Sequence, residues 1–234
     1  MRNSAEVRKY LEPSLTVDSS NPAIGNCADN LLDANTDTVE NAQRLYYWVR
    51  DSIRYNPYGI DLDPAMLSAS HTLKSGEGWC VPKAILLAAL CRYAGIPARL
   101  GFSDVRNHLS TERLRSTMGT DIFYFHGYTS LYLGGRWVKA TPAFNIELCD
   151  KFGLKPLEFD GRIDSLYHEY DNAGNRHMQY LNDRGEFLDI PLKDMTAVFR
   201  EKYASALSGH VGKLSARLDS AQWDADVAHE TDER

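Results

Sequence analysis

No apolar run in this 234-residue chain is long enough to span a bilayer, which takes about 20 consecutive, mostly apolar residues. Basic charge is also short: 26 Lys and Arg stand against 32 Asp and Glu, for a net charge of −6. A general binder of nucleic acid or of anionic membranes would be basic, so neither partner is expected. Cysteine is sparse. Cys27, Cys80, Cys91 and Cys149 are widely spaced and form no CxxC pair, which argues against a zinc site. On one helix, Cys80 and Cys91 would stand roughly 16 Å apart along the axis, too far for a disulfide. The first six residues lack the apolar core of a secretory signal, and free thiols suit a reducing compartment, so the expected location is cytoplasmic. Asp160, Asp164, His168, Glu169, Asp171 and His177 match no ligand spacing, so no metal and no cofactor is expected.

What the chain does have is centred on Gly76-Glu77-Gly78-Trp79-Cys80-Val81-Pro82-Lys83-Ala84. Two glycines make a tight turn, and Pro82 suits the first turn of a helix. An apolar run continues to Tyr93-Ala94, where Gly95 and Pro97 stop it. Cys80 is thus expected at the N-terminus of a buried helix about four turns long. Free N–H groups and the helix dipole there favour a thiolate, and Lys83, three residues on, is expected to face the sulfur and help. The competing reading is an ordinary buried cysteine, a common fate for this residue type.

The other elements follow from spacing. Tyr10–Val17 reads as an extended strand or arm. Val39, Ala42, Leu45, Tyr46 and Val49 recur at helical intervals behind an Asp37 or Thr38 cap. A short helix is expected around Pro64–Leu73, and a strand over Pro97–Ser103. The polar stretch 104–121 reads as a long binding loop carrying His108. Two β-prone runs flank Gly134-Gly135 and predict a hairpin, with His126 on its more polar face. A two-residue turn sets Leu133 opposite Arg136 and, by counting back, His126 opposite Ala143, with Thr141 and Asn145 as diagonal neighbours. A second hairpin is expected around Asn172-Ala173-Gly174, and a helix over 191–207.

With Cys80 and His126 placed, the chain resembles the transglutaminase-like superfamily. The resemblance rests on Gly78-Trp79-Cys80, on the helix end Cys91-Arg92-Tyr93-Ala94-Gly95-Ile96-Pro97-Ala98-Arg99, on His126, and on Gly134-Gly135-Arg136-Trp137. Trp48 to Tyr55 is similar to the helix that precedes this core. The resemblance implies an α+β fold with a papain/transglutaminase-like core, in which a buried helix carries the cysteine at its N-terminus and packs on an antiparallel β-sheet carrying the histidine. One domain is expected over residues 1–215, with a core at 35–145, a C-terminal elaboration at 150–210, and an acidic, flexible tail at 216–234.

The resemblance further implies a thioester-forming cysteine enzyme acting on amide bonds of a peptide or protein, with Cys80 as nucleophile and His126 as base. The family's third triad member is a carboxylate before a Pro-Thr pair. This chain has Thr141 before Pro142 instead, leaving Thr141 or Asn145 to orient His126, with Asp104 as a further candidate. Trp79, Tyr128 and His108 are the expected substrate contacts. Three functions compete: a hydrolase of peptide or amide bonds, a protein-glutamine acyltransferase, and a catalytically retired binding module.

Overall fold

The computed structural model describes residues 6–107, 110–167, 170–174, 177–204 and 220–232. Helix α1 spans Pro22–Leu31, where Asn21 caps the first turn through the Ala23 N–H and Pro22 opens the helix. Tyr10–Val17 forms no strand; residues 6–8 are helical and run into a short 3-10 turn, Lys9–Leu11, ahead of α1. Ile24, Gly25 and Ala28 give α1 a narrow buried stripe. Helix α2, Thr38–Ser52, is capped as expected by Asp37, which accepts the Glu40 N–H, and it buries Ala42, Leu45, Tyr46 and Val49. Strand β1 (Arg54–Tyr55) follows, then two short helices, α3 (Pro64–Leu67) and α4 (Ala69–Ser75), where one was expected. Gly76 ends α4 in the left-handed conformation, at φ 71°, and turns the chain into β2, Glu77–Gly78, which pairs parallel with β1.

Helix α5, Cys80–Tyr93, is the hub. Every residue from Cys80 to Arg92 is buried, because α1, α2 and α4 pack on one side and the sheet on the other. Its C-terminal end is tied down by Arg92, whose guanidinium donates to Ala98 O (2.9 and 3.1 Å), to Glu12 O (2.8 Å) and to Leu188 O (2.5 Å). A buried cation is tolerated there because backbone carbonyls replace its water.

The sheet has the order β5-β4-β3-β6 and is antiparallel throughout. Strand β3 runs Ala98–Asn107, longer than expected, because β4 and β6 pair with it on both sides out to Arg106. The rest of the polar stretch is not an open loop either. Thr111 caps helix α6, Glu112–Met118, and Leu114 and Met118, four apart, are its buried contacts. Strand β4 (Ile122–Leu133) and β5 (Arg136–Ala140) form the expected hairpin, with Leu133 opposite Arg136. The ladder stops at Thr129–Ala140. Beyond it the Thr141 N–H turns to Ser165 O (2.8 Å), and the chain enters helix α7, Ile146–Phe152, so His126 does not pair with Ala143.

Strand β6, Met178–Phe187, pairs with β3, and the arms of the hairpin expected around Asn172-Ala173-Gly174 fall partly outside the described residues. Helix α8 covers Leu192–Lys202, shorter than expected. The tail expected to be flexible contains helix α9, Ser220–Asp232, whose Trp223 and Val227 are buried. Apolar residues four apart give this acidic stretch a face that packs despite its polar composition. Among the described residues no helix is long and apolar enough to cross a membrane.

Candidate active site

Cys80 opens α5 and is 6 % exposed. Trp79, just before it, gives no side-chain cap, so the first-turn N–H groups stay available. The backbone N–H groups of Gly127, Val81 and Cys80 itself face the sulfur. The Gly127 donor comes from the sheet. In β4 the Tyr132 N–H points toward the β3 side, to Pro97 O, so the N–H groups of odd-numbered residues point toward β5. Since β5 ends at Ala140, opposite Thr129, the edge of β4 beyond is not covered by a strand. There the Gly127 N–H favours the anionic form of the sulfur. The peptide that joins His126 to Gly127 therefore abuts Cys80.

Glycine at 127 makes this approach possible. A Cβ there would sit 3.0 Å from Val81 Cα, a backbone contact that cannot yield cheaply. Thr129, two residues on, donates from Oγ1 to Ala84 O (2.8 Å), so residues 127 and 129 both turn to α5. His126 belongs to the opposite, more polar face, opposite Ser103, and is 5 % exposed.

Just before His126 the strand is bent. Tyr124 and Phe125 together oppose Asp104, an extra residue that forms a bulge, and Phe125 has φ 56°, unusual for a residue with a side chain. Asp104 holds this turn: its Oδ1 accepts the Phe125 N–H (3.1 Å) and Arg184 Nε (2.5 Å), and its Oδ2 accepts Asn182 Nδ2 (3.3 Å). The Arg184 guanidinium also lies over the Phe125 ring, 4.3 Å from its centre. Asp104 thus spends its oxygens on the backbone turn and on neighbouring side chains.

Thr141 is 2 % exposed, and its Oγ1 has no hydrogen-bond partner among the described residues. Asn145 precedes α7, and its Oδ1 accepts the Tyr55 N–H (3.2 Å). Tyr55 is wholly buried and near enough to Cys80 for the two ionisations to oppose each other. Asn145 is thereby linked to the sulfur's surroundings through Tyr55. Trp79 is buried against Phe199 of α8, with ring centres 6.1 Å apart. Tyr128 is buried on the sheet face turned from α5, over Gly101, where a Cβ would lie 2.1 Å from its ring. His108 lies outside the described residues.

Two electrostatic expectations are corrected. Burial pushes the Cys80 thiol up to about 12, and the three facing N–H groups offset this only in part. Lys83 does not face the sulfur. It is fully buried, and its Nζ donates to Arg50 O (2.9 Å) and Ile53 O (2.5 Å) at the end of α2. These carbonyls have no partner further along the helix, so the ammonium serves as their cap.

Sequence reasoning missed the Gly127 donor and the pair of tyrosines beside the sulfur, Tyr55 and Tyr203. Tyr203 follows α8 and is held by Tyr124: its Oη accepts the Tyr124 N–H (2.7 Å) and donates to Ile122 O (3.2 Å). Both tyrosines are raised above the usual range, first by burial and then by the nearby sulfur, and at Tyr203 the Tyr124 N–H partly offsets this. A glycine inside a strand, next to a candidate base, was the available signal for a close backbone approach. Among the described residues no group of three His, Cys, Asp or Glu side chains is placed to hold a metal ion.

The family model for the transglutaminase-like superfamily matches residues 25–142, half of the chain, including Cys80 and His126 and the helix and strand that carry them. The chain belongs to the transglutaminase-like superfamily. Its fold is the α+β, papain/transglutaminase-like one, and membership supports a cysteine-dependent enzyme. A crystal structure from Cytophaga hutchinsonii, named "Putative Cysteine Protease", is similar at 17 % identity and a TM-score of 0.46. The match covers 77 % of this chain and 54 % of that one, so this superfamily member spans about half the length of that protein. No curated protein matches the chain.

Proposed function

We propose that the protein is a cysteine-dependent hydrolase of peptide or amide bonds that works through a thioester on Cys80. The observation that carries this reading is the convergence on one sulfur of a helix N-terminus and the peptide that follows His126. A sulfur held this way is aimed, and groups that face it favour its anionic form. In the reaction, the Cys80 sulfur attacks the acyl carbon while its proton passes to His126, the residue just before Gly127 on β4. The Cys80 backbone N–H receives the developing oxyanion. As the C–N bond breaks, His126 returns the proton to the leaving amine. Water then attacks the thioester with His126 as base, releasing the carboxylic acid and the thiol.

The raised thiol value fits a resting state in which the sulfur is neutral, so that base and nucleophile act together. Thr141 Oγ1 is the better orienter of His126, since it is buried with no partner among the described residues, whereas Asn145 already accepts from Tyr55. The raised thiol and the missing carboxylate also favour a second reading, a retired site used for binding. An acyltransferase would differ only in using an amine in the second step.

The test is alkylation of Cys80 by iodoacetamide across pH, read by mass spectrometry, in the native chain and in His126→Ala. The expected result is a limb below the ordinary thiol range that the substitution removes. Identical profiles with an ordinary thiol inflection would support the retired site. Incorporation of a primary amine from an added donor would point to acyl transfer.

A further inference from the structure

We propose that the aromatic cavity filled by Trp223 is a binding subsite for an aromatic side chain carried on an acidic peptide, and that α9 occupies it from within the same chain. The cavity is walled by Tyr55, Phe144, Phe152 and Trp223, with Ser110 and His177 at its polar end. Trp223 meets Tyr55 edge-on at 6.1 Å and Tyr58 at 5.6 Å. About 20 Å³ remains beside the indole, room for about one water. Ser110 lines that space at 3 % exposed, and its Oγ has no hydrogen-bond partner among the described residues. A buried hydroxyl left without a partner at the end of an apolar pocket suits a ligand that brings a polar group with its ring.

The cavity adjoins the reaction centre. Tyr55 is one of its walls, senses the Cys80 sulfur, and donates its N–H to Asn145. The charges around the indole complete the recognition. Asp224 pairs with Arg54 (2.5 Å), and Asp226 accepts from Tyr58 Oη (2.5 Å) and from Arg113 Nε (3.0 Å). An aromatic residue followed by carboxylates one and three positions on therefore fits the pocket mouth.

The occupant is built to leave. Arg54 and Asp224 are both more than a third exposed, so that ion pair contributes little, and the polar hold on α9 rests on the buried Asp226. Apolar docking rests on Trp223 and Val227, and a helix of 13 residues is marginal on its own. A segment with two apolar anchors sits at the low end of local stability, where displaceable elements are found.

The proposal rests on the reading of Cys80 as acting on peptide acyl groups, but its test does not. A fluorescent synthetic peptide with the sequence of residues 220–232 is titrated by anisotropy into the full chain and into Trp223→Ala. The substituted chain is expected to bind the peptide at least about tenfold more tightly than the native chain, whose own α9 competes. A peptide with its Trp replaced by Ala is expected not to bind. If circular dichroism shows Trp223→Ala unfolded, the Asp224→Ala/Asp226→Ala chain takes its place, with tighter binding than native again expected. A folded variant that binds no better than native overturns the proposal. The Cys80→Ser form of the same variant is expected to bind equally well, so a failure of the thiol chemistry leaves this result standing.

Discussion

Helix α5 begins with Cys80 and helix α8 packs on its neighbour Trp79, and the two helices are made differently. From Cys80 to Arg92 every residue of α5 is buried, with helices on one side and the sheet on the other. Helix α8 buries Met195 and Phe199, and Tyr203 follows it as the last anchor. One is a frame that holds Cys80 in place. The other is a cover, attached through a few aromatic contacts: Phe199 on Trp79, Tyr203 on Phe199 and on Tyr124. The difference teaches where reactivity and access are set. Changes in the frame should lower the reactivity of Cys80, and changes in the cover should raise it.

The largest expected effect is on the frame side. His126→Ala should lower alkylation of Cys80 at neutral pH by about 10²-fold or more, the usual worth of a positioned base, measured by mass spectrometry against time. Phe199→Ala should move the rate the other way. Losing a buried phenyl ring costs about 3–5 kcal/mol, and here that loss falls on the cover, so alkylation should rise by about tenfold or more. A slower rate in this variant would mean that α8 belongs to the frame.

Gly127→Ala should weaken both properties at once. The added methyl meets Val81 Cα at 3.0 Å, and overpacking of this kind costs about 1–3 kcal/mol. A urea melt should show the lost stability, and the alkylation profile should move to higher pH as the Gly127 N–H is pushed off the sulfur. A normal melt with an unchanged profile would separate the donor from the chemistry.

The smallest effect tests the far side of the frame. Burial holds Lys83 down to about 7 from its ordinary 10.5; Arg50 acts in the same direction, while Asp51 and Cys149 oppose it. Between those two pH values the unfolded chain carries a proton that the folded chain lacks. This contribution to stability is therefore lowest below pH 7 and grows as pH rises through the window. Lys83→Met should flatten that slope in melts taken at several pH values, with little change in Cys80 alkylation.

The frame was legible in the sequence, and of the cover the helix itself was, but not what it packs against. Cys80, Pro82 and the Gly95–Pro97 stop define α5 by local chemistry alone, and Gly134-Gly135 sets the hairpin register as far as Thr129 and Ala140. Beyond that point register is decided by a distant partner, Ser165, which no local pattern announces. The direction of Lys83 was misread for the same reason. Position three on a helix can serve the sulfur or the neighbouring helix end, and the choice lies with carbonyls thirty residues away. The acidic composition of α9 masked a face of only two apolar residues. His126 itself was legible by type and by sheet face, whereas the bulge that sets its angle depends on Asp104 and Arg184 from two other strands.

The extra residue in that bulge also fixes a count. Strand β4 carries two residues, Tyr124 and Phe125, against the single Asp104 of β3. Deleting Phe125 would restore an unbroken ladder and remove an awkward backbone conformation, so by pairing alone it would look like an improvement. It would also set Tyr124 directly opposite Asp104, with Phe123 still opposite Val105, and turn the Tyr124 N–H toward β3 like that of the other even-numbered residues. Tyr124 would then lose the hydroxyl of Tyr203 that its N–H now meets. For this protein, the length of one strand, as much as the identity of any side chain on it, is part of the candidate site.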